Sequence, residues 1–222
     1  RGGGGGPAVP AAMVEARLAA IASDLPPAAI KTGMLATASL VQLVAGAIQG
    51  YGWGNYVCDP VMVATSGDRL LDPAAETVVR ERLLPLATLV TPNLDEAAIL
   101  TGGEVRDLVQ MEQAGRRLLE LGAAAALVKG GHLPGDLMTD VLVTRDDVRR
   151  FTHARIQTTS THGTGCTLSA AITAGLAQGR ILEDAVTDGL DYLHRAIAAA
   201  PGIGAGHGPV NHMVPARRPG LA

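Results

Sequence analysis

Apolar residues recur along the chain in two rhythms. Over residues 11–23, Met13, Ala16, Leu18 and Ile21 form a stripe at helical spacing, and Pro26-Pro27 ends it. Residues 28–31 are a short continuous apolar run and predict a buried strand. The alternation then repeats. A helix is expected over 37–50, with Thr37 as its N-cap and Gly50 near its C-terminus. A strand is expected over 56–59, ending at Asp59-Pro60. A helix follows over 73–84, capped by Asp72 and with Pro73 in its first position. Residues 87–91 read as a strand stopped by Pro92, residues 94–101 as a short helix after Asn93, and residues 108–121 as an amphipathic helix ending at Gly122. A strand over 124–129 closes this series. The rhythm then changes: 140–144 and 149–153 predict a hairpin around Arg145-Asp146-Asp147, and 164–178 and 183–199 predict two final helices. The tail from Pro201 is rich in Gly, Pro and His and reads as irregular.

Helix and strand alternate, and the early strands are continuous apolar runs. That is the pattern of a parallel sheet covered on both faces. The expected fold is α/β, a three-layer αβα sandwich with a mostly parallel central sheet. No sequence repeat at a fixed period competes with this reading. In such sheets ligands sit at the carboxyl ends of the strands. Four polar clusters directly follow expected strands: Lys31 to Met34, Asp59 to Met62, Thr91 to Glu96, and Lys129 to His132. Their convergence on one edge would make a site.

Composition narrows the function classes. The 222 residues are 47% hydrophobic, enough for one sizeable core and against disorder. No run reaches 18 apolar residues, which argues against a membrane-spanning helix. A net charge of −3 gives no general basic field for nucleic acid, and 2% aromatics leaves little for base stacking. Cys58 and Cys166 are far apart and form no CxxC, which suits a reducing cytoplasmic compartment. The start, with a glycine run over Gly2 to Gly6 and no Met at position 1, reads either as a tag or frayed end or as a chain lacking its true N-terminus. Only two of the 18 Lys and Arg residues are lysines, and both Lys31 and Lys129 stand beside glycines. Either this is coincidence or each places an ammonium near a phosphate.

The strongest local signal is Thr161-His162-Gly163-Thr164-Gly165-Cys166-Thr167, leading into an apolar helix. The glycines permit close backbone approach, and the helix start turns free N–H groups toward an anion. Cys166 falls in the first turn, where a thiolate is stabilised. The alternative is a glycine-rich turn with a core cysteine. The run is neither a Walker A loop nor GxGxxG. Asn93 and Glu96 share a helix face and offer oxygens suited to magnesium or its water shell; the alternative is a capping-box pair. Asp59 is either a magnesium-side carboxylate or a turn residue. His207 and His212 lack a third ligand at metal spacing. His194 reads as a surface residue, and Asp140 to Asp147 as a solvated turn. An anion-binding helix start, a lysine beside glycines and an oxygen pair for magnesium together suggest phosphoryl transfer.

Six motifs in this order resemble one family: Lys31-Thr32-Gly33-Met34-Leu35; Asp59-Pro60-Val61-Met62 with Ser66-Gly67-Asp68; Thr91-Pro92-Asn93-Leu94-Asp95-Glu96; Val128-Lys129-Gly130-Gly131-His132; Thr161-His162-Gly163-Thr164-Gly165-Cys166; and Gly206-His207-Gly208-Pro209-Val210-Asn211-His212. The chain from about Val9 onward is similar to the hydroxymethylpyrimidine/phosphomethylpyrimidine kinases of thiamine biosynthesis, in the ribokinase-like superfamily. The resemblance implies ATP, Mg²⁺, a small pyrimidine substrate, a homodimer, and two successive phosphorylations. It implies an anion hole at Gly163, Thr164, Gly165 and Cys166, with Cys166 where most superfamily members carry an aspartate base. It implies nucleotide contacts at Lys129, Gly131, Asn93 and Thr161, a magnesium side at Asp59 and Glu96, and a pyrimidine pocket at Met34, Gly33 and Val61. A neutral thiol, unlike a carboxylate, would not repel a phosphorylated acceptor, and an ordinary thiol is mostly neutral at pH 7. Pyridoxal or pyridoxine kinases share the nucleotide motifs but carry the aspartate, and a non-catalytic nucleotide-binding fragment is the reading from another class.

The family begins with a strand and a Gly-Ser-Asp substrate loop that have no counterpart here. The resemblance therefore divides the chain into a glycine-rich remnant, 1–10, and a kinase domain, 11–222, lacking a βαβ unit of about 30 residues or more. The expectation is an intact nucleotide half, an incomplete acceptor half, and a chain that is poorly stable or inactive by itself.

Overall fold

The computed structural model describes residues 9–63, 69–71, 73–131, 133, 135–203 and 206–216. Six strands form one sheet in chain order: β1 (Ile30–Thr32), β2 (Tyr56–Cys58), β3 (Leu89–Val90), β4 (Ala126–Val128), β5 (Leu137–Val143) and β6 (Val148–Ala154). β1 to β4 pair in parallel, and β5 and β6 add an antiparallel hairpin. The helices are α1 (Ala11–Asp24), α2 (Ala38–Gly50), α3 (Pro73–Val78), α4 (Leu94–Thr101), α5 (Leu108–Glu120), α6 (Thr164–Ala177) and α7 (Leu182–Ala198). The α/β class, the mostly parallel sheet and the terminal hairpin agree with the sequence pattern.

Successive strand residues face opposite sides of the sheet. Cys58, Val90, Val128 and Val141 join α2 to α5 in one core, while Val57, Leu89, Leu127 and Leu142 meet Leu168, Ile172 and Leu190 of α6 and α7 in the other. Parallel crossovers of one hand place the connecting helices on a common side. The chain returns after β6 to cover the opposite side with the α6–α7 pair. This leaves the carboxyl ends of β1 to β4 and the start of α6 at one edge.

Local chemistry explains the boundaries. Thr37 caps α2 by accepting the Leu40 N–H at 3.3 Å. β1 begins at Ile30 rather than at residue 28, because the Ala28 carbonyl is taken by the Asn55 side-chain amide at 3.1 Å. The helix expected over 73–84 divides into α3, a π-helical turn Val79–Leu83 and a 3-10 turn Leu84–Leu86. Pro85 lies in that last turn and cannot extend the helical ladder, since it has no N–H. α1 packs on the core through Val14 and Leu18, so Met13 and Ile21 of the expected stripe are exposed. The Asp72 cap, Gly2 to Gly6, Ser66 to Asp68 and His132 lie outside the described residues.

α5 lies against β5 with a glycine at the contact. A methyl group on Gly115 would sit 2.4 Å from Val143 Cγ2 and 2.9 Å from its Cβ, too close for a rotamer change alone to relieve. Gly115→Ala should therefore destabilise the chain by about 1–3 kcal/mol through overpacking. Chemical denaturation measures this, and Val143→Ala in the same chain should recover part of the loss.

Candidate active site

Parallel pairing continues past the strand ends. The Asp59 N–H donates to Thr32 O at 3.0 Å, the Thr91 N–H to Cys58 O at 2.9 Å, and the Lys129 N–H to Pro92 O at 2.9 Å. The strand ends therefore hold Gly33-Met34, Asp59 to Val61, Thr91 to Asn93, and Lys129 to Gly131 along one edge, as the four polar clusters suggested.

Asp59 is the centre of that edge and is buried. Its Oδ1 lies 3.5 Å from Lys129 Nζ and accepts the Thr91 hydroxyl at 3.4 Å. Its Oδ2 lies 3.3 Å from Lys31 Nζ and accepts the Ser169 hydroxyl at 3.0 Å. A buried carboxylate needs such compensation. Both lysines of the chain thus converge on one carboxylate, and the Glu96 carboxyl also stands near Lys129. Below it, burial pushes the Cys58 thiol up to about 12, so that group stays neutral.

The start of α6 lies over this cluster. Gly163 is the N-cap with φ +80°, a left-handed conformation that favours glycine, and no side chain caps the helix. The first helical bond comes from the Thr167 N–H to Gly163 O, so the N–H groups of Thr164, Gly165 and Cys166 face outward as a helix start requires. Gly165 admits the Lys129 ammonium: a methyl group there would lie 3.0 Å from Nζ. Lys31 Nζ donates to the Cys166 carbonyl at 3.4 Å. Cys166 is exposed, which removes the core-cysteine alternative.

Asn93 and Glu96 form a full capping box. Asn93 Oδ1 accepts the Glu96 N–H at 2.8 Å, and Glu96 Oε2 accepts the Asn93 N–H at 2.9 Å. Glu96 Oε1 also accepts the Met62 N–H at 3.2 Å, which ties the segment after β2 to α4. Burial raises the Glu96 pKa, opposed by the nearby Lys129 charge. The capping reading therefore describes these side chains as they stand. Among the described residues no cluster of three His, Cys, Asp or Glu side chains forms a metal cage. Each carboxylate oxygen of Asp59 and Glu96 already has a partner but retains lone-pair capacity. That donor set fits a magnesium ion carried mainly by phosphates and water, which the carboxylates would meet through its water shell.

Of the remaining expected residues, Met34 is exposed and Val61 half-buried at neighbouring strand ends. The Gly131 carbonyl accepts from the Arg155 guanidinium at 3.0 Å, and Thr161 Oγ1 pairs with His207 Nδ1 at 3.3 Å. The irregular tail docks on the loop that leads into α6, with the His162 N–H donating to Gly208 O at 3.2 Å. A groove of about 740 Å³ runs from Cys166 along Ala170 and Ala174 to Tyr192 and His212.

Three residues were not singled out by the pattern. Ser169 lies one turn inside α6 and binds Asp59. Asp140 was expected in a solvated turn; it is instead buried on β5, accepting the Gly130 N–H at 2.8 Å and lying 3.5 Å from His153 Nε2. β5 starts earlier than expected because its pairing with β6 runs back to Leu137 and Ala154, which carries Asp140 into the sheet. Arg155 ties down the loop after β4 by donating to the Gly131, Leu133 and Gly135 carbonyls. His194, expected at the surface, is half-buried with its ring 6.2 Å from that of His153.

The sequence profile of the phosphomethylpyrimidine kinase family matches residues 5–211. The chain is 47% identical over 208 residues to the hydroxymethylpyrimidine/phosphomethylpyrimidine kinase of Rhizobium meliloti, covering 92% of this chain and 78% of that protein. It is 45% identical over 216 residues to the thiamine biosynthesis bifunctional protein ThiED of Geobacter sulfurreducens, covering 97% of this chain but only 44% of that protein. The chain thus spans less than half of the bifunctional relative. The solved structure of a Bacillus subtilis pyridoxal kinase in complex with ADP superposes with a TM-score of 0.87 at 35% identity, over 92% of this chain and 77% of that one. A match over most of the chain, joined to a lysine-flanked carboxylate beneath a helix start, places the protein in the phosphomethylpyrimidine kinase family, among the phosphotransferases of thiamine biosynthesis.

Proposed function

We propose that this chain uses ATP to phosphorylate the hydroxymethyl oxygen of 4-amino-5-hydroxymethyl-2-methylpyrimidine, and then the phosphate of that product to give the diphosphate. The observation that carries this reading is the convergence of Lys31, Asp59 and Lys129 beneath the free N–H groups of α6. The N–H groups of Thr164, Gly165 and Cys166 receive the oxygens of the transferring group, where negative charge must be held. Lys129, Gly131, Asn93 and Thr161 bind the nucleotide phosphates, while Gly33, Met34 and Val61 line the acceptor side. Asp59 and Glu96 orient the water shell of magnesium, which supplies charge neutralisation at the phosphate oxygens when bound.

In the first transfer, an oxygen–phosphorus bond forms at the acceptor alcohol and the bond to the ADP leaving oxygen breaks. The alcohol proton passes to Cys166 when that side chain is present as its thiolate, or to water beside it. In the second transfer, the acceptor oxygen belongs to an ionised phosphate and has no proton to lose, so Cys166 holds no role as base there. The neutral buried Cys58 and the free Cys166 suit a reducing cytoplasm, and exposed Met13, Ile21 and Leu25 on the α1 side suit a homodimer contact.

Steady-state assays with ATP and Mg²⁺ test the reading. Both pyrimidine acceptors should be phosphorylated, and each faster than pyridoxal, the acceptor favoured by the pyridoxal kinase alternative. Faster turnover of pyridoxal would contradict it, and nucleotide binding without turnover of any acceptor would favour the fragment reading, in which the acceptor half is incomplete.

Replacing the thiol by a carboxylate separates the two steps. A charge placed about 4 Å from a phosphate costs about 1–4 kcal/mol between the water and near-surface limits, and about 1.4 kcal/mol is tenfold in rate. In Cys166→Asp, kcat/KM for the phosphorylated acceptor should fall about tenfold more than for the alcohol. Equal losses would remove the electrostatic rationale for cysteine.

A further inference from the structure

We propose that Lys31 is the specificity residue that admits an already phosphorylated acceptor, by pairing with that acceptor's phosphate during the second transfer. The proposal rests on the two-step kinase reading and adds to it a role for a residue that the nucleotide contacts leave unused.

The two lysines meet the same carboxylate from opposite sides. Lys129 approaches Asp59 Oδ1 at 3.5 Å from the β4 side, lies under Gly165, and continues into the glycine loop. It is also bridged to Asn93. Lys31 approaches Oδ2 at 3.3 Å from the β1 side and continues into Gly33-Met34. Its Nζ would lie 3.7 Å from a methyl group on Gly33 and donates to the Cys166 carbonyl. The start of α6 lies over both. A group transferred there has Lys129 on the donor side and Lys31 on the acceptor side.

Charge then distinguishes the acceptors. Lys129 has the carboxyls of both Asp59 and Glu96 near it, while Lys31 shares Asp59. A neutral alcohol acceptor makes no demand on the Lys31 charge. A phosphate monoester carries about −1.5 to −2 at neutral pH and must approach another phosphate. Arg155 also reaches this region, but its guanidinium is engaged by three backbone carbonyls. Lys31 has a donor to spare: an ammonium carries three, and two are engaged in contacts of 3.3 Å and 3.4 Å. Its side chain keeps 19% of its surface accessible, so it can reach a ligand while Asp59 holds its stem in place.

The test compares Lys31→Met and Lys31→Arg with the wild type, using hydroxymethylpyrimidine and its monophosphate as acceptors. Loss of the ion pair with Asp59 should slow both reactions of Lys31→Met. The kcat/KM for the monophosphate should fall about tenfold further, chiefly through KM, and Lys31→Arg should restore most of that difference. Equal falls for both acceptors would overturn the proposal and leave Lys31 a structural role. Wild-type protein that phosphorylates neither pyrimidine would overturn the kinase reading, and this proposal with it. A second measurement needs no variant. Amine acylation of the wild type, read by peptide mass, can address the two lysines separately. The monophosphate should protect Lys31 more than the alcohol does; equal protection by both, or protection by neither, would overturn the proposal.

Discussion

A carboxylate cannot remain charged inside a protein without partners, and Asp59 is such a carboxylate at the edge where the strands' carboxyl ends meet the start of α6. Two ammoniums, two hydroxyls and its own backbone bond to Thr32 hold it. The partners come from β1, the segments after β3 and β4, and α6. The carboxylate therefore ties three strand ends to a helix from the opposite layer. Without it, the two ammoniums would lose the carboxylate they share, directly beneath a helix start that carries positive partial charge itself.

This constraint joins fold to function. Parallel strands supply loops at a common edge, and antiparallel β5 and β6 support one of those loops through Asp140 and Arg155. Glu96 performs a parallel task at α4, where its carboxylate holds the helix start and the segment after β2 together. The result is a concentration of positive potential made largely of fixed groups. Phosphoryl transfer needs such groups in place before reaction, since its catalysis is mostly positioning and charge neutralisation.

The architecture was legible because each early strand is an apolar run followed at once by polar residues. Parallel topology turns that repeated order into a shared edge, so the four clusters could be placed together without knowing a single contact. The scarcity of lysine made Lys31 and Lys129 visible as a pair. Contacts between layers were less accessible. Ser169 lies in an apolar helix and touches Asp59 only because α6 crosses the end of β2. Asp140 stands five residues before Arg145-Asp146-Asp147, and nothing local distinguishes it from a solvated acid. Its burial follows from hairpin pairing that reaches back to Leu137. Close packing around Pro85 is likewise tertiary: a methyl group on Gly122 would lie 3.0 Å from Pro85 Cα. Glu96 carries two readings in sequence, cap and magnesium partner; its bonds establish the first and leave lone pairs for the second.

The most direct measurement is the side-chain ammonium NMR spectrum of nitrogen-15 lysine-labelled protein, compared with Asp59→Asn. Two lysines give two Nζ signals. If Asp59 seats both, the wild type shows two protected signals, and both shift or broaden in Asp59→Asn while the backbone amide spectrum stays dispersed. A variant in which neither signal changes, or only one does, would contradict the account.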